Sequence, residues 1–158
     1  MKQKTMLMLV LLVTSYTLNA QTHTMKQPVV MLENESRYGF DETVEKLNAA
    51  IAEAGWKVTS TLNLQETMAK NGKEVLPVKV LEVCNAAHAY KILSADQYRL
   101  VSPMLPCRIS VYQKQNGKTY LSRMNAPAFA PLIGGLAGET MTAAFNDTEL
   151  ILKVFIIE

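Results

Sequence analysis

The chain has 158 residues, with 16 basic and 14 acidic side chains, 49% hydrophobic residues and only two cysteines. So even a charge balance, with no basic stripe interleaved with aromatics, leaves no electrostatic footprint for nucleic acid. Glycine (7) and proline (6) are not enriched, and no internal repeat or low-complexity segment follows the N-terminus, which excludes solenoid, collagen-like and disordered chains.

The first twenty residues read as a secretory signal. Lys2 and Lys4 make a basic start, Met6 to Val13 an unbroken apolar run, and Thr14 to Ala20 lead to a small residue. Cleavage is expected near Ala20, which places the protein in the periplasm or outside the cell. The apolar run is short for a bilayer span, and no cysteine follows it to take a lipid, so no transmembrane anchor is expected after cleavage. Losing Lys2 and Lys4 leaves 14 basic and 14 acidic residues and no net charge. About 138 residues remain, enough for one domain with its own core. Residues 21–27 are a polar, flexible lead-in, and His23 within them is given no role. Residues 28–158 are then a single domain.

Val29 to Leu32 is a short apolar run suited to a first strand. Phe40, Val44, Leu47, Ile51 and Ala54 recur at spacings of three and four, one face of a helix, with Asp41 and Glu42 in its first turn and Gly55 as its stop. Trp56 to Leu64 alternates like a half-buried strand, and a short helix from Leu64 to Lys70 ends at Asn71-Gly72. Pro77 to Cys84 reads as a third strand and Asn85 to Leu93 as a third helix. Two β-rich runs, Cys107–Gln113 and Thr119–Arg123, flank Asn116-Gly117, a pair that favours a type I′ hairpin turn. Alternation puts Cys107, Ile109 and Val111 on one face of the hairpin, with Cys107 pointing into the core.

The tail from Ala126 to Glu158 is very apolar, interrupted by Pro127, Pro131, Glu139, Asp147, Glu149 and Lys153. It is expected to form one or two helices over the sheet. So much apolar surface also suits a homodimer interface.

Glu82-Val83-Cys84-Asn85-Ala86-Ala87-His88-Ala89-Tyr90 and Met104-Leu105-Pro106-Cys107-Arg108-Ile109-Ser110-Val111-Tyr112 resemble segments of the family called domain of unknown function 302. Gly117-Lys118-Thr119-Tyr120, Met124-Asn125 and the opening helix with Gly55-Trp56 fit the same pattern, so the resemblance covers roughly residues 28–155. It implies an α+β fold, an antiparallel sheet with helices packed on one face, often as a dimer. No established activity comes with it.

The chemistry narrows to Cys84 and Cys107. In an oxidising compartment a thiol pair closes into a disulfide or is kept apart for a reason. A Cys84–Cys107 bridge would close a loop of 22 residues and stabilise by about 3 kcal/mol on the chain-entropy model. A metal reading takes Cys84, His88 and Cys107, with Glu82 or Met104 as fourth ligand: thiolate and imidazole suit zinc, and a thioether would favour copper. A redox reading makes Cys84 the attacking thiolate, stabilised by free N–H groups at a helix start, and Cys107 its resolving partner. A haem ligand from His88 or Met104 has no attachment motif to support it.

Other motifs yield to plainer readings. Gly134-Gly135 and Gly138 lack the Lys-Ser or Lys-Thr of a phosphate loop, and His88 is the one histidine in the folded part, so no Ser-His-Asp set is legible. Asn34-Glu35-Ser36 and Asn146-Asp147-Thr148 match glycosylation sequons that a bacterial exported protein would leave idle. The reading that covers these observations is an exported, non-catalytic binding or accessory module with a pocket near Cys84, His88 and Cys107. A thiol redox protein and a structural dimer stapled by the bridge are the alternatives.

Overall fold

A computed structural model describes residues 29–157; the expected signal segment and lead-in lie outside the described residues. The elements alternate along the chain. Strand β1 (Met31–Glu35) is followed by α1 (Phe40–Glu53), β2 (Lys57–Asn63), α2 (Leu64–Lys70), β3 (Val78–Cys84) and α3 (Ala86–Leu93). A 3₁₀ segment (Asp96–Met104) leads to β4 (Cys107–Gln113), β5 (Thr119–Met124), α4 (Ala126–Ile133) and α5 (Gly135–Leu152). The five strands form one antiparallel sheet in the order β1-β5-β4-β3-β2. The fold is α+β.

Register explains which face is buried. Leu81 lies opposite Ile109, and Val83 opposite Cys107; Val111 lies opposite Leu121, and Ile109 opposite Arg123. These residues share one face, and Leu81, Val83, Ile109, Val111 and Leu121 are buried there. Leu47 and Ile51 from α1 and Ala144 and Leu152 from α5 close over them, joined by Trp56 and Phe155. The other face carries the alternate residues. There Arg108 meets Glu82 at 3.0 Å, Lys114 meets Glu33 at 2.6 Å and Lys118 meets Glu35 at 2.9 Å, while Tyr112 and Tyr120 stack. An antiparallel sheet tolerates this division of one apolar and one polar face.

A second apolar cluster gathers Ile92, Val101, Ala126, Ala137 and Met141, drawn from α3, the 3₁₀ segment, α4 and α5. Helix α5 belongs to both clusters, through Ala137 and Met141 at one end and Ala144 and Leu152 at the other. The apolar tail therefore goes largely into the chain's own interior. Leu132, at 87% exposure, with Leu150 and Val154, stays outward; these are the side chains the expected homodimer would have to bury. No helix among the described residues is long and apolar enough to cross a membrane.

Two sequence expectations shift. The first strand runs Met31–Glu35 rather than Val29–Leu32, because its hydrogen bonds set Met31 to Glu35 against Met124 to Tyr120 and leave Val29 and Val30 exposed. The β4–β5 turn is not type I′, which needs positive φ at two residues: Gly117 has φ 76°, and Asn116 has no positive φ. Gly117 N–H instead donates to Lys114 O at 2.9 Å and Lys114 N–H to Lys118 O at 3.0 Å, a three-residue loop with glycine at its left-handed position. The 3₁₀ segment was not foreseen at all.

Candidate functional site

The pairing of β3 with β4 brings the ends that carry the cysteines together. Cys84 is the last residue of β3 and Cys107 the first of β4, beside Val83. Both thiols are free, so the expected staple is open in this structure. Burial pushes the Cys107 thiol above its ordinary range, and the neighbouring Cys84 adds to the shift.

Helix α3 starts two residues after Cys84, and two of its first amides are already engaged. Asn85 caps the helix: Ala87 N–H and His88 N–H donate to its Oδ1 at 3.0 and 3.3 Å. Two of the amides expected to stabilise a Cys84 thiolate are therefore taken by an asparagine side chain.

His88 is tied to α5 by a hydrogen bond. Its Nε2 donates to Asp147 Oδ2 at 2.8 Å, and its ring lies against Trp56 with centroids 5.7 Å apart. The side chain is 18% exposed. Among the described residues, His88 Nδ1 is the buried side-chain nitrogen or oxygen atom with no hydrogen-bond partner. Because the Asp147 carboxylate only accepts, the proton is assigned to Nε2, and a neutral ring then presents a lone pair at Nδ1.

Of the other expected ligands, Met104 lines the same cavity as the cysteines and His88, and Glu82 does not. Glu82 sits on the polar face of the sheet, in its ion pair with Arg108. Met104 ends the 3₁₀ segment and packs in the second apolar cluster. Among the described residues no three His, Cys, Asp or Glu side chains converge as a metal site would require. Glu82 is held by Arg108 on the polar face of the sheet, and Asp147 engages the imidazole.

What these residues do share is a cavity of about 190 Å³ between the end of the sheet and the helices. The sheet contributes Val83, Cys84, Cys107 and Ile109 to its wall, and α3 contributes His88 and Ile92. Met104, Phe129, Met141 and Phe145 close the helical side. Its polar residues are mostly committed elsewhere. Arg123 donates from Nε and Nη2 to Glu149 at 2.7 and 2.5 Å and from Nη1 to Asn34 at 2.6 Å; Thr148 Oγ1 donates to Phe145 O at 2.8 Å.

Sequence reasoning named four of the cavity residues, Cys84, His88, Met104 and Cys107, and missed Asp147, Arg123 and Trp56 as parts of the site. Asp147 is 59 positions from His88. The available signal was a carboxylate inside an otherwise apolar helical stretch, which needs a polar partner if it faces inward.

A family profile described as domain of unknown function DUF302 matches residues 32–149. The chain is similar to the crystal structure of an uncharacterized conserved DUF302 protein from Bacillus stearothermophilus, with a TM-score of 0.70 and 24% identity. That match covers 80% of this chain and 98% of the other, and at this identity it speaks for the fold. No curated protein matches the chain in sequence.

Proposed function

We propose that this chain, which belongs to the family of domain of unknown function DUF302, is an exported, non-catalytic binding module that holds a small, largely apolar molecule in the cavity beside Cys84, His88 and Cys107. The observation that carries this reading is the cavity itself. Two apolar clusters leave a cavity of about 190 Å³ between them, partly open to solvent. That exceeds the ~150 Å³ of an engineered apolar cavity that binds benzene. A mostly apolar wall with a few placed polar groups is the usual make-up of a small-molecule site.

Native mass spectrometry of protein exported through its own signal, then of the same sample denatured, tests the reading. A non-covalent mass that disappears on denaturation is expected, and added toluene should raise the melting temperature of ligand-free protein. Absence of both effects would remove the proposal.

The redox alternative asks for a reactive thiolate pair, and the geometry gives it little support. Desolvation of Cys107 favours its neutral thiol, whereas exchange proceeds through the thiolate. Iodoacetamide at pH 7 is therefore expected to label Cys107 at least ~10-fold more slowly in the folded protein than in urea. Equal rates, read by peptide mass spectrometry, would restore the redox reading. The raised thiol also favours the folded state only while it is protonated, so this contribution is lost as pH rises through the folded value above the ordinary thiol range.

A further inference from the structure

We infer that a second copy of this chain docks on the open face of the sheet, the face turned away from α1 and α5, to form a two-fold dimer. Register lays that face out in rows. Leu62 lies opposite Val80, Val80 opposite Ser110, and Ser110 opposite Ser122. In the next row Val78 lies opposite Tyr112, and Tyr112 opposite Tyr120. Helices α1 and α5 close over the other face, and α2 has no buried residue. Leu62 is accordingly 43% exposed, and Val80, Tyr112 and Tyr120 are only half-buried.

Charge selects the partner. Arg108 pairs with Glu82 at one corner, and Lys114 and Lys118 pair with Glu33 and Glu35 along the β1 side. Each cation thus meets an anion within one copy, and the face carries no surplus of either sign. An anionic membrane or a nucleic acid finds no excess positive charge to bind. A strongly charged protein gains nothing there either, whereas a second copy is not repelled. Apolar and tyrosine side chains at the centre with charges at the rim are the make-up of a protein–protein interface.

Shape and size favour the same partner. Twisted sheets pack face to face with their strands nearly aligned, and a second copy brings an identical twist. The stacked rings of Tyr112 and Tyr120, with centroids 6.1 Å apart, form a ridge beside the smaller side chains of Val80 and Ser110. Under a two-fold axis the ridge of each copy meets the hollow of the other, the isologous arrangement of a closed dimer. Five strands spaced about 4.8 Å apart and about 20 Å long give a footprint of about 500 Å² per copy. The pair then buries about 1,000 Å², the area that a specific interface needs.

Sedimentation velocity of the exported protein and of two variants is the test. The wild type is expected to sediment as a dimer at micromolar concentration. Ser110→Arg sets like charges from both copies at the centre of the contact and should raise the dimer dissociation constant at least ~100-fold. Leu150→Arg, on the outward side of α5 where the side chain is 72% exposed, should leave it unchanged. Circular dichroism checks that each variant folds; where Ser110→Arg does not, Leu62→Lys at the exposed end of the same row takes its place. A monomeric wild type would overturn the inference. So would a dimer that survives the face variant, or one that Leu150→Arg weakens as much, which would move the interface to the apolar tail. None of these outcomes depends on whether the cavity holds a ligand.

Discussion

Truncating Glu149 to alanine is expected to lower the free energy of unfolding by about 3 kcal/mol. Arg123 sits on the core face of β5, opposite Ile109, with a side chain only 6% exposed. Its guanidinium meets both oxygens of Glu149 in a fork, the geometry that makes arginine–carboxylate pairs strong. Removing the carboxylate leaves a buried cation with Asn34 as its remaining partner. Breaking a buried pair from one side costs about 3–5 kcal/mol, and the 28% exposure of the Glu149 side chain argues for the lower end, since water reaches the place it leaves. The double change Arg123→Met with Glu149→Leu should recover most of the loss, because it removes both charges and fills the space. Urea unfolding of the three proteins measures this. A single-variant loss below about 1 kcal/mol would mean the pair behaves like a solvent-exposed bridge. The pair also has a bearing on the site: it fastens α5 to β5 at the cavity wall, so the alanine variant should bind apolar probes more weakly as well.

The same pair shows how far the sequence could be read. Glu149 was visible as a polar interruption in the apolar tail and Arg123 as the end of a β-rich run, yet nothing in their spacing of 26 positions joins them. Where one element's own period decides, the sequence spoke clearly. The spacing of Leu47 and Ile51 marked the buried face of α1, and alternation in β4 put Ile109 and Val111 in the core. Cys84 and Cys107 were recognised as a pair, and adjacency of β3 and β4 brings their strand ends together. The failures lie where competition between partners decides. The partner of His88 was not legible: Asp147, on α5, holds its ring. Free amides at the start of α3 could have stabilised a thiolate, but Asn85 is one residue nearer and caps them. Asn116-Gly117 favoured one turn, but the bonds between Lys114 and Lys118 closed a different loop. The 3₁₀ segment gave no periodic signal because its i→i+3 pattern is short and includes Pro103. A pocket near Cys84, His88 and Cys107 was expected, but its size and its helical wall were beyond reach, since it is the volume left over after two clusters have packed.

Gly138 carries the second large effect, at the contact that forms the helical side of that cavity. It lies within α5, and a Cβ placed on it would come 2.5 Å from the carbonyl oxygen of Ala130 in α4 and 3.3 Å from the carbonyl carbon. These are backbone atoms of a neighbouring helix, so no rotamer change relieves the contact. Two effects oppose one another in Gly138→Ala. Alanine improves helix propensity by about 1 kcal/mol, and Gly138 has no positive φ to make alanine strained. Overpacking a tight contact costs about 1–3 kcal/mol, and a clash as short as this one against backbone belongs at the upper end. The helices must separate, and a net loss of about 2 kcal/mol is expected. Separation would also carry Phe129 on α4 away from Met141 and Phe145 on α5, all of which line the cavity. Gly138→Ala should therefore lower both the urea midpoint and the affinity for toluene, whereas a variant that gains stability would show that α4 and α5 do not approach this closely in solution.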